Sequence, residues 1–405
     1  MSVFAFDLRL PVFTLEAGAR LSHHLVHGVC ASPVESDRPR VLSVARAVDD
    51  GWLAAPAAVV RRSRTELDAI APVAHAVELE RRSDVPTVVV VHALTGDARA
   101  VGPEGFWAPM GEADGPLDLR STRVLSFNLL GSCYGSSGPC DEGFPRREDD
   151  LGAPPPPSQK GDFSIPEGRL PATVTTLDQA RSILAALDAL GVRDVALLTG
   201  GSLGGMVALA LAALAPERFR TVVPIAATHR ASPWLQAWNH IARAAILRDP
   251  ERGFEVARQL GMLSYRAEPG FDRTTAAPPA RGGRLRPFHP LPVQTWLEHQ
   301  GRKLRARFDV GAYLCLLGAM DHHDLGRIPD AFEALAKTAV LGVSIDTDQL
   351  YTPVQTERYL AEIAAHGGRT LADAIASDFG HDAFLIEWAA LGRVLRRARS
   401  WENER

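Results

Sequence analysis

The sequence predicts an α/β protein with an open, mostly parallel sheet that carries helices on both faces. Two observations lead to this class. Apolar runs alternate with helical patterns along much of the chain, which is typical of sheets built from strand–helix–strand units. The Val-rich run VPTVVVVHAL at 85–94 shows no polar alternation, as expected of a strand that is covered on both faces.

The predicted elements follow one another in a regular order. Strands are predicted at 85–94, 122–131, 194–200, 220–228 and 338–346, and helices at 173–192, 203–217 and 354–366. In the first of these helices apolar residues recur every three and four positions, and Gly191 stands where a C-terminal cap is expected. Near the N-terminus, 11–21 and 23–31 are candidates for early antiparallel strands.

The alternation stops in the middle of the chain. Between 229 and 332 the sequence shows helical patterns but no good strand. We therefore expect a helical lid insertion at 229–332, on a core formed by 1–228 and 333–405. The stretch 142–168 is rich in proline, glycine and charge, which predicts a long surface loop.

Composition and charge argue against several classes of protein. The 405 residues include 44 Lys and Arg and 48 Asp and Glu, interspersed, with a formal net charge of −4. This gives no basic footprint for nucleic acid or an anionic membrane. No apolar run approaches the roughly 20 residues of a membrane span, and the first residues lack the apolar core of a signal peptide. Four cysteines without a CxxC pair favour a reduced, cytoplasmic protein.

One short motif carries chemistry. Gly200-Gly201-Ser202-Leu203-Gly204 matches G-x-S-x-G between a predicted strand and a predicted helix. That context is typical of a nucleophile elbow, where flanking residues without bulk let a tight turn hold the hydroxyl clear of the backbone. The helix N-terminus offers free N–H groups to a developing oxyanion. A glycine turn used only for packing is the alternative, whereas the glycine patterns of phosphate loops are not present.

A serine nucleophile needs a base and a carboxylate that orients the base. In this architecture they follow in the order Ser, Asp or Glu, His. His381 lies in a predicted loop before a C-terminal helix and is the candidate base. Asp346 and Asp348 both follow the last predicted strand, and position alone does not choose between them. His366 lies within a helical pattern and is interpreted as a surface or capping residue.

The oxyanion site needs a second N–H group from the loop after an earlier strand. The backbone N–H groups of Leu94 and Leu203 are the candidate donors. His92, in the same loop as Leu94, is interpreted as a buried structural histidine. The adjacent His322 and His323 suggest a metal pair, but neighbouring residues in a helix point in different directions, so no metal site is predicted.

Several motifs together resemble the homoserine O-acyltransferase family. They occur in the expected order as HALTGD (92–97), FNLLGSCYGSSGP (127–139), GSLGGM (201–206), DTDQLYTP (346–353) and GHDAFL (380–385). The segment 296–316 is similar to that family's lid region, and the resemblance runs from about residue 10 to 395. It implies the α/β-hydrolase fold, with a helical lid over a mostly parallel sheet, and a homodimer.

The resemblance assigns the catalytic triad. In the family pattern S/T-D-x-L-[FY]-x-P, the aspartate two residues before Leu is the triad acid, which here is Asp348 rather than Asp346. Ser202 matches the nucleophile that accepts the acyl group, and His381 matches the base.

The resemblance also implies an amino-acid site. Arg258 and Tyr265 match positions that hold homoserine, and Asp382 matches the residue that meets the substrate amine. An arginine can bind a carboxylate through two parallel N–H bonds, and a carboxylate can pair with an ammonium group. Without the resemblance, Arg258 would be interpreted as a solvent-exposed residue on a helix surface.

Two features depart from the family pattern. Family members usually carry a Gly-rich stretch between the segment at 246–250 and the helix that begins GFEVAR. In this chain that stretch is missing, and the helix follows the segment directly. The loop at 142–168 replaces a more uniform segment. Both changes are expected to reshape the pocket or its mouth.

The implied reaction is a two-step acyl transfer. Ser202 takes an acetyl group from acetyl-CoA, a co-substrate, and passes it to the side-chain hydroxyl of L-homoserine, which yields a methionine precursor; no cofactor is expected. The alternatives within the family are L-serine as the acceptor and succinyl-CoA as the donor. An esterase with the same triad and a wetter site is a second class, and a non-catalytic binding protein on a hydrolase scaffold is a third.

Overall fold

A computed structural model of the chain describes residues 2–35, 37–38, 41, 46–47, 58–74, 85–149, 170–276 and 291–402. Its strands are β1 (Ser2–Leu10), β2 (Phe13–Thr14), β3 (Arg20–Leu21), β4 (His24–Ser32), β5 (Arg46–Ala47), β6 (Thr87–Val91), β7 (Arg123–Phe127), β8 (Val195–Gly201), β9 (Phe219–Ile225), β10 (Ala339–Ile345) and β11 (Thr370–Ile375). Its α-helices are α1 (Arg64–Asp68), α2 (Thr176–Ala189), α3 (Leu203–Leu214), α4 (Pro233–Arg248), α5 (Pro250–Ser264), α6 (Glu268–Thr275), α7 (Pro292–Arg305), α8 (Val310–Asp321), α9 (Ala331–Leu335), α10 (Pro353–Ala365), α11 (Ala383–Ile386) and α12 (Trp388–Glu402).

A large sheet forms the centre of the protein. Nine strands lie in the order β11-β10-β9-β8-β6-β7-β4-β1-β5. The strands from β11 to β7 are parallel, whereas β4, β1 and β5 add an antiparallel edge. The predicted mostly parallel α/β sheet is therefore confirmed. Because β6 has β7 on one side and β8 on the other, the strand order reverses there, and ligands bind at the carboxyl ends of such strands.

The Val-rich strand β6 shows why its sequence lacks alternation. Every residue of β6 is buried. Val89 and Val91 belong to an apolar cluster with residues of α2 and α3, while Val88 and Val90 belong to a second cluster with residues of α12. Helices thus cover both faces of the sheet, and each residue of the run faces one of two cores.

Helix α2 lies within the predicted range 173–192 but is shorter, and a cap stands at each end. The Thr175 side chain accepts the N–H of Asp178 at 3.1 Å, which satisfies one of the free donors of the first turn. At the other end, Gly191 has φ 65°, a left-handed conformation that glycine adopts without strain.

Helices α4 to α9 lie between β9 and β10, and the described part of that segment contains no strand. Helices α4 and α5 follow one another with only Asp249 between them. The Asp249 carboxylate caps α5 by accepting the N–H groups of Glu251 and Arg252, both at 3.1 Å. A Cβ on Gly253 would lie 1.9 Å from the carbonyl oxygen of Ala245. The close approach of the two helices therefore requires a glycine at this position.

Two further observations concern segments singled out from the sequence. Most of the loop predicted at 142–168 lies outside the described residues. Among the residues that the structure does describe, no helix has both the length and the apolar character needed to cross a membrane.

Candidate active site

Ser202 occupies the turn between β8 and α3 in a strained conformation. Its φ is 58° and its ψ is −126°, a region that non-glycine residues rarely adopt unless the surrounding packing holds them there. The Ser202 N–H donates to the carbonyl oxygen of Ile225 at 2.9 Å, and its carbonyl accepts the N–H of Met206 at 3.0 Å. These bonds fix a buried serine at the carboxyl edge of the sheet.

The glycines around Ser202 are required by close contacts. A Cβ on Gly204 would lie 2.2 Å from the carbonyl oxygen of Val91, and one on Gly200 would lie 2.6 Å from the same atom. A Cβ on Gly201 would lie 2.4 Å from the Phe384 ring. Strand β6 and the C-terminal segment therefore pack directly against the turn, as the nucleophile-elbow interpretation requires.

A buried carboxylate–imidazole pair follows β10. His381 Nδ1 lies 2.6 Å from Asp348 Oδ2. The other oxygen, Oδ1, accepts the N–H groups of Leu350 and Tyr351 at 2.8 and 3.0 Å. Because the carboxylate holds Nδ1, the neutral ring carries its proton there and its lone pair on Nε2, the form that a general base needs.

The charge of Asp348 sets the protonation of His381. Burial by itself lowers the pKa of this imidazole, but the Asp348 carboxylate stabilises the imidazolium, and the net result is a pKa above the ordinary value. Asp346 has a different environment: it is exposed, and its Oδ1 accepts the N–H of Ser377 at 3.0 Å. The structure thus brings Asp348, and not Asp346, to His381.

The two candidate oxyanion donors follow neighbouring parallel strands. Leu94 lies in the turn after β6, and Leu203 is the first residue of α3. His92, in the same loop as Leu94, is fully buried. Its Nδ1 lies 2.8 Å from the carbonyl oxygen of Ala93, and its Nε2 accepts the N–H of Leu129 at 3.1 Å. Burial lowers the pKa of His92, so it serves as a neutral structural histidine.

Arg307 contacts the loop that carries Leu94, and nothing in the sequence indicated this contact. Its Nη1 donates to the carbonyl oxygen of Thr95 and to the Tyr134 hydroxyl, both at 2.9 Å. The Tyr134 hydroxyl donates in turn to the carbonyl oxygen of Arg307 at 2.8 Å. Arg307, which lies between α7 and α8, therefore holds the backbone of Thr95, the residue after Leu94.

Arg258 and Tyr265 lie near His381. The Tyr265 ring centroid is 5.8 Å from that of His381, and the Arg258 guanidinium lies 6.0 Å from the Tyr265 ring centroid. No acidic side chain of the described residues forms an ion pair with Arg258. A half-buried arginine without a carboxylate partner is a candidate binding group for an anion.

The Asp382 carboxylate, which the resemblance assigns to the substrate amine, already forms an ion pair with Arg266. Its Oδ2 accepts a hydrogen bond from Arg266 Nε at 2.9 Å, and its backbone N–H donates to the carbonyl oxygen of Tyr265 at 3.1 Å. Arg266 was not indicated by the sequence, since a side-chain pair 116 residues apart leaves no local pattern.

The two adjacent histidines point in different directions, as the helical spacing predicted. His322 Nδ1 bonds to the carbonyl oxygen of Gly318 at 2.8 Å at the surface. His323 is buried, with Nδ1 2.8 Å from the Thr176 hydroxyl and Nε2 2.9 Å from the carbonyl oxygen of Thr228. Within the described ranges, no group of three or more potential ligands is arranged to hold a metal ion.

The strained serine after a central parallel strand and the buried aspartate–histidine pair define the α/β-hydrolase class. A model of the alpha/beta hydrolase fold family matches residues 86–386. Within that class, the chain belongs to the homoserine O-acetyltransferase family. It is 38% identical over 347 residues to the homoserine O-acetyltransferase of Thermus thermophilus, covering 78% of this chain and 82% of that protein. The Moorella thermoacetica protein of the same name is 32% identical over 336 residues, covering 76% and 84%.

Solved structures share the fold across the chain. Homoserine O-acetyltransferase from Staphylococcus aureus superimposes with a TM-score of 0.69 at 24% identity, covering 98% of this chain and 95% of that one. The esterase E22 superimposes with a TM-score of 0.71 at 15% identity, covering 98% and 100%. At these identities the likeness establishes the fold alone, so transferases and esterases are not separated by it.

Proposed function

We propose that this protein transfers an acetyl group from acetyl-CoA to the side-chain hydroxyl of L-homoserine, in methionine biosynthesis. The observation that carries the proposal is the buried Asp348–His381 pair at 2.6 Å, together with a strained Ser202 in a nucleophile-elbow turn. The identity of 38% to a protein named homoserine O-acetyltransferase supports homoserine as the acceptor and acetyl as the group transferred.

In the first step, His381 takes the proton of Ser202, and the serine oxygen attacks the thioester carbonyl. The N–H groups of Leu94 and Leu203 stabilise the oxyanion of the tetrahedral intermediate. The carbon–sulfur bond then breaks, CoA leaves with the proton from His381, and an acetyl ester remains on Ser202. Asp348 stabilises the imidazolium that forms between the two proton transfers.

In the second step, the hydroxyl of the amino acid gives its proton to His381 and attacks the acetyl ester. The ester bond to Ser202 breaks, the serine oxygen recovers a proton from His381, and the acetylated amino acid leaves. Charge and protons balance without any further reagent, so we propose that the enzyme needs no metal ion or cofactor besides the acyl-CoA substrate.

Recognition of the acceptor requires groups for its carboxylate and its ammonium. We assign the carboxylate to Arg258, which has no acidic partner among the described residues. The Tyr265 ring is near both this guanidinium and the imidazole of His381. The ammonium is assigned to Asp382 through Oδ1, because Oδ2 already accepts from Arg266.

Water must be kept from the acetyl ester, or the enzyme becomes an esterase. We propose that residues 229–332 act as a lid on a core formed by 1–228 and 333–405. The contact of Arg307 with Thr95 supports this role, since it ties the inserted segment to the oxyanion loop. From the family resemblance we also propose a homodimer, which light scattering tests directly. We propose a cytoplasmic location as well, with which the free thiols of all four cysteines are compatible.

The experiment that tests the function is a donor–acceptor matrix. Purified protein is incubated with acetyl-CoA or succinyl-CoA and with L-homoserine, L-serine or water, and both thiol release and the acylated product are measured. We expect acetyl-CoA with homoserine to be the fastest pair. Equal thiol release with and without an amino acid, with no acylated product, would instead indicate an esterase.

A further inference from the structure

Tyr351 is buried against the catalytic groups, and the proposed mechanism leaves its hydroxyl unused. The residue is 1% exposed. Its ring centroid lies 4.9 Å from that of His381, with 32° between the ring planes. Its backbone N–H is one of the two donors to Asp348 Oδ1. The ring is therefore held in place by both the acid and the base.

The Tyr351 hydroxyl lies beside the Ser202 side chain. The hydroxyl is buried, and its contact with Ser202 falls short of normal hydrogen-bond geometry. A buried hydroxyl without a well-formed hydrogen bond destabilises the folded state, and such groups in native proteins call for an explanation. A hydroxyl in this position, next to the nucleophile, is explained if its partner is a substrate.

The chemistry of this hydroxyl is that of a neutral donor. Burial raises the pKa of Tyr351 well above its usual range, and the nearby Asp348 carboxylate raises it further. Tyr351 therefore keeps its proton throughout the reaction and can donate it in a hydrogen bond. It does not act as a base, which is the role of His381.

We propose that the Tyr351 hydroxyl donates a hydrogen bond to the attacking oxygen of the amino-acid acceptor, which makes it a specificity-determining residue for the second half-reaction. The acceptor oxygen then has three partners: its own proton points to His381 Nε2, one lone pair accepts from Tyr351, and the other faces the acetyl carbon on Ser202. This inference rests on the proposed function and extends it to the recognition of the reacting hydroxyl.

The variant Tyr351→Phe removes one oxygen and keeps the ring that packs on His381. The ring packing on His381 and the backbone N–H bond to Asp348 do not involve the hydroxyl, so we expect the variant to fold. Acylation of Ser202 by acetyl-CoA should proceed at the wild-type rate, because the acceptor is not yet present. The kcat/KM for homoserine should fall roughly 3- to 10-fold, the worth of one neutral hydrogen bond.

A substrate analogue without the hydroxyl separates this contact from a general change in the pocket. L-2-Aminobutyrate keeps the carboxylate, ammonium and carbon chain of homoserine but has nothing for Tyr351 to contact. Its inhibition constant should therefore be the same for wild type and for Tyr351→Phe. A matched control is Tyr359→Phe, which removes another buried hydroxyl without a normal hydrogen bond, on α10, where it faces Gly342; this variant should behave as wild type.

Each outcome has one meaning. A Tyr351→Phe enzyme that transfers to homoserine at the wild-type kcat/KM refutes the contact and leaves the proposed function standing. Loss of the CoA burst would assign the hydroxyl to the first half-reaction and also refute the proposal, as would an equal weakening of L-2-aminobutyrate inhibition. If wild type itself yields no acetylated amino acid, the proposed function is wrong and the acceptor contact is refuted with it.

Discussion

Arg307 donates from Nη1 to the carbonyl oxygen of Thr95 at 2.9 Å, so a residue of the inserted segment fixes the backbone next to Leu94. An oxyanion donor is effective only when it is already aimed at the developing charge, because it then needs no reorganisation during the reaction. In the proposed mechanism, the contact couples the placement of the helices between β9 and β10 to the first chemical step.

Arg307→Met should slow acylation by acetyl-CoA by about 10- to 100-fold, somewhat less than the loss of an entire oxyanion donor. Pre-steady-state CoA release measures this rate. Arg305→Met is the matched control, since Arg305 is an exposed residue of α7 paired with Glu255 at 2.9 Å, and such surface pairs contribute little. Equal effects of the two variants would show that Arg307 does not position the oxyanion loop.

Asp348→Asn should reduce kcat by about 10⁴-fold, as loss of the orienting carboxylate does in another serine triad. The neutral amide can neither fix the tautomer of His381 nor stabilise its imidazolium. Asp346→Asn is the internal control, because that side chain bonds to the N–H of Ser377 instead. Should Asp346 be the more damaging site in the same steady-state assay, the assignment of the triad acid is wrong.

The pH dependence of acylation should report the raised pKa of His381. The base must be neutral to accept the serine proton, so the rate should rise with pH, with its inflection above the ordinary histidine value of 6.5. The shift arises from the Asp348 carboxylate, so the residual activity of Asp348→Asn should show its inflection at lower pH. An inflection that Asp348→Asn leaves in place would mean that another group controls the rate.

Arg258→Ala should impair only the second half-reaction. Losing one partner of a buried charge pair costs about 2–5 kcal/mol, which is roughly 30- to several-thousand-fold in kcat/KM for homoserine. The CoA burst without acceptor should be unchanged. Arg252→Ala, an exposed arginine on the same helix, is the control. Loss of the burst in a folded Arg258→Ala enzyme would instead assign this residue to the donor or to the lid.

Local sequence signals predicted the central strands and helices well. Strands β6 and β8 were predicted from continuous apolar runs, and the turn at Ser202 from its glycines. These signals are local, and the observed strand bounds agree with the predicted ones within a few positions. Strand β1 was not predicted because it is defined by its pairing with β4 along nine residues. Strand β11, TLADAI, was missed because it is a half-exposed edge with polar residues.

The site was predictable where a motif fixes the backbone and not where distant side chains meet. Residue spacing alone left Asp346 and Asp348 equivalent. The family resemblance selected Asp348, and the structure shows that this carboxylate contacts His381 whereas Asp346 bonds to the N–H of Ser377. The pairing of Arg266 with Asp382 and the position of the Tyr351 hydroxyl depend on segments that come together in three dimensions. No periodicity in the sequence encodes such contacts.

The measurement that tests the central claim most directly is the mass of the protein after exposure to acetyl-CoA alone. The mechanism predicts one added acetyl group, on the peptide that contains Ser202, and its removal when homoserine is supplied. Ser202→Ala should show no added mass and should lose activity by about a millionfold, as removal of the nucleophile does in another serine enzyme. Acetylation that persists at the same level in Ser202→Ala would contradict the account, because the acyl group would then be carried by a different residue.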